Sequence, residues 1–80
     1  MTVVAFRDSA GRPLSDAIVG IVAAPGEFHD IAMVTDVHGE IRFTPTQFGD
    51  YEFGVHVGGQ SRTVVVRIAS ADARLTVAVT

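Results

Sequence analysis

"YEFGVHVGGQSRTVVVRI", residues 51–68, sets two alternating apolar runs on either side of a glycine pair. Residues directly opposite across an antiparallel pair share a face of the sheet. If Gly58 and Gly59 form a two-residue turn of the primed type, Val57 falls opposite Gln60, Phe53 opposite Val64 and Tyr51 opposite Val66. Tyr51, Phe53, Val55 and Val57 then join Val64, Val66 and Ile68 on one face. A three-residue loop would set Phe53 opposite Val65 and scatter that set. Apolar pattern and turn chemistry select the same register, and this agreement predicts a sheet protein.

Outward from this hairpin, short runs of Val, Ile, Thr and Phe are separated by Gly, Pro and Asp at intervals of about ten residues, the pattern of an all-β sandwich or barrel. The predicted strands are 2–7, 16–23, 30–35, 40–44, 51–57, 60–68 and 74–79, and no helical period exceeds one turn. The expected fold is a seven-stranded antiparallel Greek-key β-sandwich occupying residues 1–80 as one domain. Leu75, Val77 and Val79 alternate with polar or small residues on the last strand, and Ile41 and Phe43 do so on the fourth, so each has one wet face. "DAIVGIVAA", residues 16–24, differs: Ala17, Val19 and Ile21 fit the core face, yet Ile18 and Val22 load the other.

The chain has 80 residues, 48% of them apolar and 19% charged, far from the composition of disorder. A domain of this size buries only about 60% of its unfolded surface, and its stability is expected at about 4–12 kcal/mol. Nine acids against six arginines give a net charge of -3 with no run of like charge, which argues against a phosphate-binding surface. Neither nucleic acid nor membrane is an expected partner, because no apolar stretch reaches the roughly 18 residues of a span. A complete chain of this kind is expected in the cytoplasm, and an excised domain could be secreted or surface-borne. Cysteine is absent, which excludes disulfides, thiolate chemistry and sulfur-ligated zinc.

Asp8-Ser9-Ala10-Gly11 and Asp36-Val37-His38-Gly39 repeat one spacing. In a type I turn the first position favours Asp, whose carboxylate binds the backbone two residues on, and the fourth favours Gly. The pair is therefore read as two turns rather than a ligand site, since calcium loops need several alternating oxygen ligands that neither segment supplies. His29 and Asp30 fall in a loop, His38 at a turn tip and His56 on the polar face of its strand. Zinc needs three or four convergent ligands, so solvated histidines are expected and no metal or other cofactor is predicted. No serine stands in a glycine-flanked elbow and no glycine-rich loop opens a helix, so no catalytic residue is assigned. Phe28 and Phe48 are the loop aromatics, and both are expected to plug the ends of the sandwich.

"FRDSAGRPLSDAIVGI", "VTDVHGEIRF" and "FGDYEFGVHV" together resemble the carboxypeptidase regulatory-like, or transthyretin-like, β-sandwich domain. The matching residues are Phe6, Asp8, Gly11, Pro13, Leu14, Ala17 and Val19, then Thr35, Asp36, Gly39 and Phe43, then Gly49, Tyr51 and Phe53. The resemblance implies a seven-stranded accessory sandwich, seldom catalytic, and makes a homodimer through edge strands an expectation. Hydroxyisourate hydrolases of this fold end in Tyr-Arg-Gly-Ser, whereas this chain ends "LTVAVT". Pilin-type relatives use a Lys-Asn isopeptide bond, and this chain has neither residue.

The function expected from these features is a non-catalytic interaction module that binds a partner protein or a second copy of itself. Its candidate interface is Ile18 and Val22, with Val3 and Ala5 joining if the first two strands are neighbours, and Val65 on a sticky edge strand guarded by Arg62 and Arg67. The alternatives are a carbohydrate-binding module of starch-binding type, which the absence of Trp disfavours, and a histidine-dependent enzyme, which requires His29, His38 and His56 to share one cleft.

Overall fold

A computed structural model describes residues 1–26 and 32–79. The described chain is all-β, with strands β1 (Thr2–Arg7), β2 (Ile18–Ala23), β3 (Ala32–Val34), β4 (Glu40–Phe43), β5 (Gly49–Val57), β6 (Gln60–Ile68) and β7 (Arg74–Ala78). They form two sheets, one of order β4-β1-β7 and one of order β3-β2-β5-β6. We call these sheet A and sheet B.

The hairpin takes the register its sequence predicts, with Val57 opposite Gln60, Phe53 opposite Val64 and Tyr51 opposite Val66. Gly58 and Gly59 both have positive φ, as the primed turn requires. One pairing differs from expectation: β1 runs parallel to β7, Val3 beside Arg74 and Arg7 beside Ala78, so the sheets are not wholly antiparallel. Antiparallel neighbours can share a tight hairpin, but parallel strands need a long crossover, and here the rest of the chain between them supplies it.

Both sheets close over one core. Val4, Phe6 and Ile41 enter it from sheet A, and Val19, Tyr51, Phe53, Val55, Val66 and Ile68 from sheet B. Phe53 is the hub of its rings, 5.9 Å from Phe6 and 5.9 Å from Phe43 in edge-on contacts and stacked on Tyr51 at 6.2 Å. Edge-on and offset stacking satisfy the ring quadrupoles, so these contacts add to the burial of the rings. The Tyr51 hydroxyl leaves the core on its polar end and donates to the Gln47 carbonyl at 2.6 Å.

Thr35 joins β3 to the segment before β2. Its hydroxyl donates to the Leu14 carbonyl at 2.6 Å and accepts from the Ala17 N–H at 2.9 Å, and the side chain is buried. One oxygen thus satisfies two backbone groups that would otherwise be stranded out of water.

Candidate functional site

The two aspartate turns are copies down to their hydrogen bonds. In the first, Gly11 N–H reaches the Asp8 carbonyl at 3.0 Å, while the N–H groups of Ala10 and Arg12 both reach Asp8 Oδ1 at 2.9 Å. In the second, Gly39 N–H reaches the Asp36 carbonyl at 3.0 Å, and His38 and Glu40 donate to Asp36 Oδ1 at 2.9 and 3.0 Å. Each carboxylate also holds an arginine at 3.1 Å, Arg12 on Asp8 and Arg42 on Asp36. With their oxygens engaged in this way, the aspartates bend the backbone and leave little capacity for a ligand.

Backbone donation from Arg12 holds the Asp8 carboxyl below its ordinary value, with further help from Ala10 and the Arg12 charge against desolvation. Glu40 backbone donation does the same for Asp36, reinforced by Arg42 and His38. A folded-state pKa below the unfolded one means stability that is present above the unfolded value and lost as pH falls through the folded one. Acid titration is therefore expected to weaken the fold as pH drops below the ordinary 3.8. The expected acid loss is smaller in Asp36→Asn, followed by circular dichroism. An unchanged acid limb would show that the Asp36 charge takes no part.

His38 stands exposed in the second turn and His56 exposed on β5. His56 Nδ1 lies 2.5 Å from Ser61 Oγ on the neighbouring strand. Acyl transfer would need a third group to orient the imidazole and amide donors for an oxyanion, and no carboxylate hydrogen bond to His56 is present among the described residues. His29 and Asp30 lie outside the described residues, as does Phe28. Among the described residues no group of three His, Cys, Asp or Glu side chains could hold a metal ion. An open groove of about 310 Å³ separates β3 from β4, with Met33 and Ile41 beside Asp36, Glu40 and Arg42. Its charges neutralise one another, since Arg42 binds Asp36 at 3.1 Å and Glu40 at 3.0 Å.

The predicted interface divides. Ile18 is 48% exposed, Val22 54% and Val65 66%, all on sheet B. Val3 and Ala5 are only 8% and 5% exposed and belong to sheet A, so they do not extend that patch. The condition for including them fails, because β1 and β2 are not neighbours. A chain of ion pairs crosses sheet A at their level. Arg74 on β7 binds Glu40 on β4 at 3.1 Å, and Glu40 in turn binds Arg42. Strands lie about 4.8 Å apart, so a bridge from β7 to β4 spans β1 on the rows where Val3 pairs with Arg42 and Arg74 and Ala5 with Glu40.

Sheet B gains a residue that the sequence reading leaves out. Val34 on β3 lies opposite Ile18 and is exposed beside it. Its signal is parity alone, since a residue opposite Ile18 must share Ile18's face. Between Ile18 and Val22, Gly20 pairs with Gly54; the space above Gly20 is open, while Val22 covers Gly54. Phe48, expected to plug an end of the fold, is instead 55% exposed. No protein-family model matches the chain, and no curated protein is detectably similar to it.

Proposed function

We propose that this protein is a non-catalytic interaction module that engages another protein chain, a different partner or a second copy, through sheet B. The observation that carries the reading is the grouping of exposed aliphatics: Ile18, Val22, Val34 and Val65 all stand on the outer face of one sheet. Single exposed apolar residues are ordinary, but several gathered on one face of one sheet are a common mark of an interface. Nothing lies within 4 Å of where a Cβ would stand on Gly20, so a partner can approach the β2 backbone there.

The same reading takes the fold as a Greek-key sandwich of the carboxypeptidase regulatory-like type. Its support is the role of the motif residues: Asp8, Gly11, Asp36 and Gly39 make the two turns, Thr35 ties β3 to the chain before β2, and Phe6 and Phe53 meet in the core. These are architectural tasks, and a module built from them carries function on its surface.

Ile18→Glu puts a charge on this face, next to Val34 and His56 on the adjoining strands. Self-association or partner binding is expected to be lost, with an unchanged circular dichroism spectrum because the side chain points to water. Sedimentation that is the same for both proteins would sink this reading of the face.

A further inference from the structure

We infer that a second copy of this chain packs face to face on sheet B, about a two-fold axis that crosses the strands at the Gly20–Gly54 pair, so that His56 of each copy meets the partner's Glu52. The inference rests on the reading of sheet B as an interaction surface, and it names the partner and the contact that orients it.

Parity fixes what the face presents, because residues opposite across a ladder share a side. Ile18 pairs with His56 and Gly20 with Gly54, while on β6 Ser61, Thr63 and Val65 lie opposite His56, Gly54 and Glu52. Val22, at the bulge of β2, reaches the same side, with Cγ2 3.2 Å from where a Cβ on Gly54 would stand. On each central strand an outward residue therefore flanks the glycine on either side. Around Gly20 these are Ile18 and Val22, both aliphatic, and around Gly54 they are His56 and Glu52, an imidazole and a carboxylate.

Packed sheets keep their strands close to aligned, which leaves two directions for a two-fold axis in the plane of contact. An axis along the strands, between β2 and β5, sets Ile18 on the partner's His56 and Val22 on the partner's Glu52. That arrangement covers a carboxylate with an aliphatic group, at a cost in desolvation. An axis across the strands lays each strand over its own copy in reverse. Ile18 then meets the partner's Val22 and His56 the partner's Glu52, each contact occurring twice. Moving this axis to the His56 row or the Glu52 row stacks one titratable group on its own copy. The glycine-pair axis alone matches apolar to apolar and base to acid.

The imidazole is already turned for this contact. His56 Nδ1 lies 2.5 Å from Ser61 Oγ, and Nε2 is directed toward the glycine, 4.0 Å from where a Cβ on Gly54 would stand. Among the described residues, those facing His56 from β2 and β3 are uncharged, namely Ile18, Gly20 and Val34. From β6 they are Ser61 and Thr63, with the Arg62 guanidinium donating to the Ser61 carbonyl at 2.9 Å. Along β5 the charged neighbours on this face are Glu52 and Asp50, the latter paired with Arg67 at 3.5 Å.

Four strands about 4.8 Å apart, each showing about five residues, make a contact below the roughly 800 Å² per partner of a standard interface. Pairing is therefore weak, and one charge per copy changes it visibly. Histidine takes up its proton between about pH 8 and 5, whereas carboxylates stay charged down to about pH 4.5. An imidazolium facing a carboxylate is favoured over a neutral ring, so association strengthens as pH falls through the histidine range.

Sedimentation equilibrium of the chain at pH 8 and pH 6 tests this. The dimer dissociation constant is expected to fall roughly 3–30-fold at pH 6, the effect of two exposed ion pairs related by symmetry. His56→Gln, which keeps every other charge, is expected to lose most of that response. His56→Glu and Glu52→Arg are each expected to weaken the dimer, and an equimolar mixture of the two to restore it, because the acid introduced at 56 then faces the base introduced at 52. A mixture no tighter than either variant, or a pH response unchanged in His56→Gln, overturns the inference. Assembly lost in Ile18→Glu but indifferent to the His56 and Glu52 variants overturns it and keeps the face as an interaction surface. Assembly indifferent to Ile18→Glu overturns the reading of the face as well. A chain that stays monomeric at both pH values at its highest soluble concentration overturns the inference alone, and leaves the face for a different chain.

Discussion

Gly39→Ala is expected to cost about 2–5 kcal/mol, and Gly11→Ala only about 1–2. Both glycines hold left-handed φ in copies of one turn, so both substitutions incur the clash of a Cβ with its own backbone. What differs is the neighbourhood. A Cβ on Gly11 meets nothing within 4 Å, whereas one on Gly39 would lie 2.6 Å from the Phe6 carbonyl oxygen and 2.9 Å from the Leu14 nitrogen. Those atoms are already bonded, Phe6 N–H to the Gly39 carbonyl at 2.8 Å and Leu14 N–H to the Phe6 carbonyl at 2.9 Å. Backbone cannot step aside as a side-chain tip can, so the substitution strains both bonds. At about 4–8 °C per kcal/mol for a domain of this size, Gly39→Ala is expected to lower the melting temperature by roughly 8–40 °C. Equal losses at the two sites would mean that Gly39 is not crowded.

Phe53→Ala is expected to cost about 3–5 kcal/mol, the range for removing a fully buried ring. Phe53 is wholly buried and touches Phe6, Phe43 and Tyr51, so its loss opens a cavity against both sheets at once. Set against a total of about 4–12 kcal/mol, the change leaves a chain at the lower end of that range unfolded at room temperature. Phe48→Ala is the control: an exposed phenylalanine on the same chain is expected to change stability by about 0.5 kcal/mol or less in urea denaturation. A Phe53→Ala protein as stable as wild type would place the centre of the core elsewhere.

What could be read in advance was whatever a short stretch decides on its own terms. The β5–β6 register follows from period-two burial and a glycine pair, both local, and the aspartate turns follow from the preference of Asp and Gly for fixed turn positions. The seven strands were legible for the same reason, although β2 begins at Ile18 rather than residue 16 because Asp16 takes a positive φ of 58°. Pairing between remote strands has no such local mark. The parallel β1–β7 contact, the Val34–Ile18 neighbourhood and the Arg74–Glu40 bridge across sheet A all depend on which strands become neighbours. Thr35 was visible as a motif residue, but its buried double hydrogen bond requires Leu14 and Ala17 to be brought to it from elsewhere in the chain. Exposure was legible at Ile18, Val22 and Val65, where apolar residues break the alternation, and misread at Val3 and Ala5, whose burial depends on which strands become neighbours.

The side-by-side alignment of the first and last strands has a mechanical consequence. Because β1 and β7 point the same way, a pull applied outward at residues 2 and 78 drags the two strands past each other along their length. The load is then shared by the whole row of backbone bonds from Val3 to Arg7 at the same moment, instead of opening them one at a time as a zipper does. Held between two tethers, the molecule resists extension in its stiffest direction.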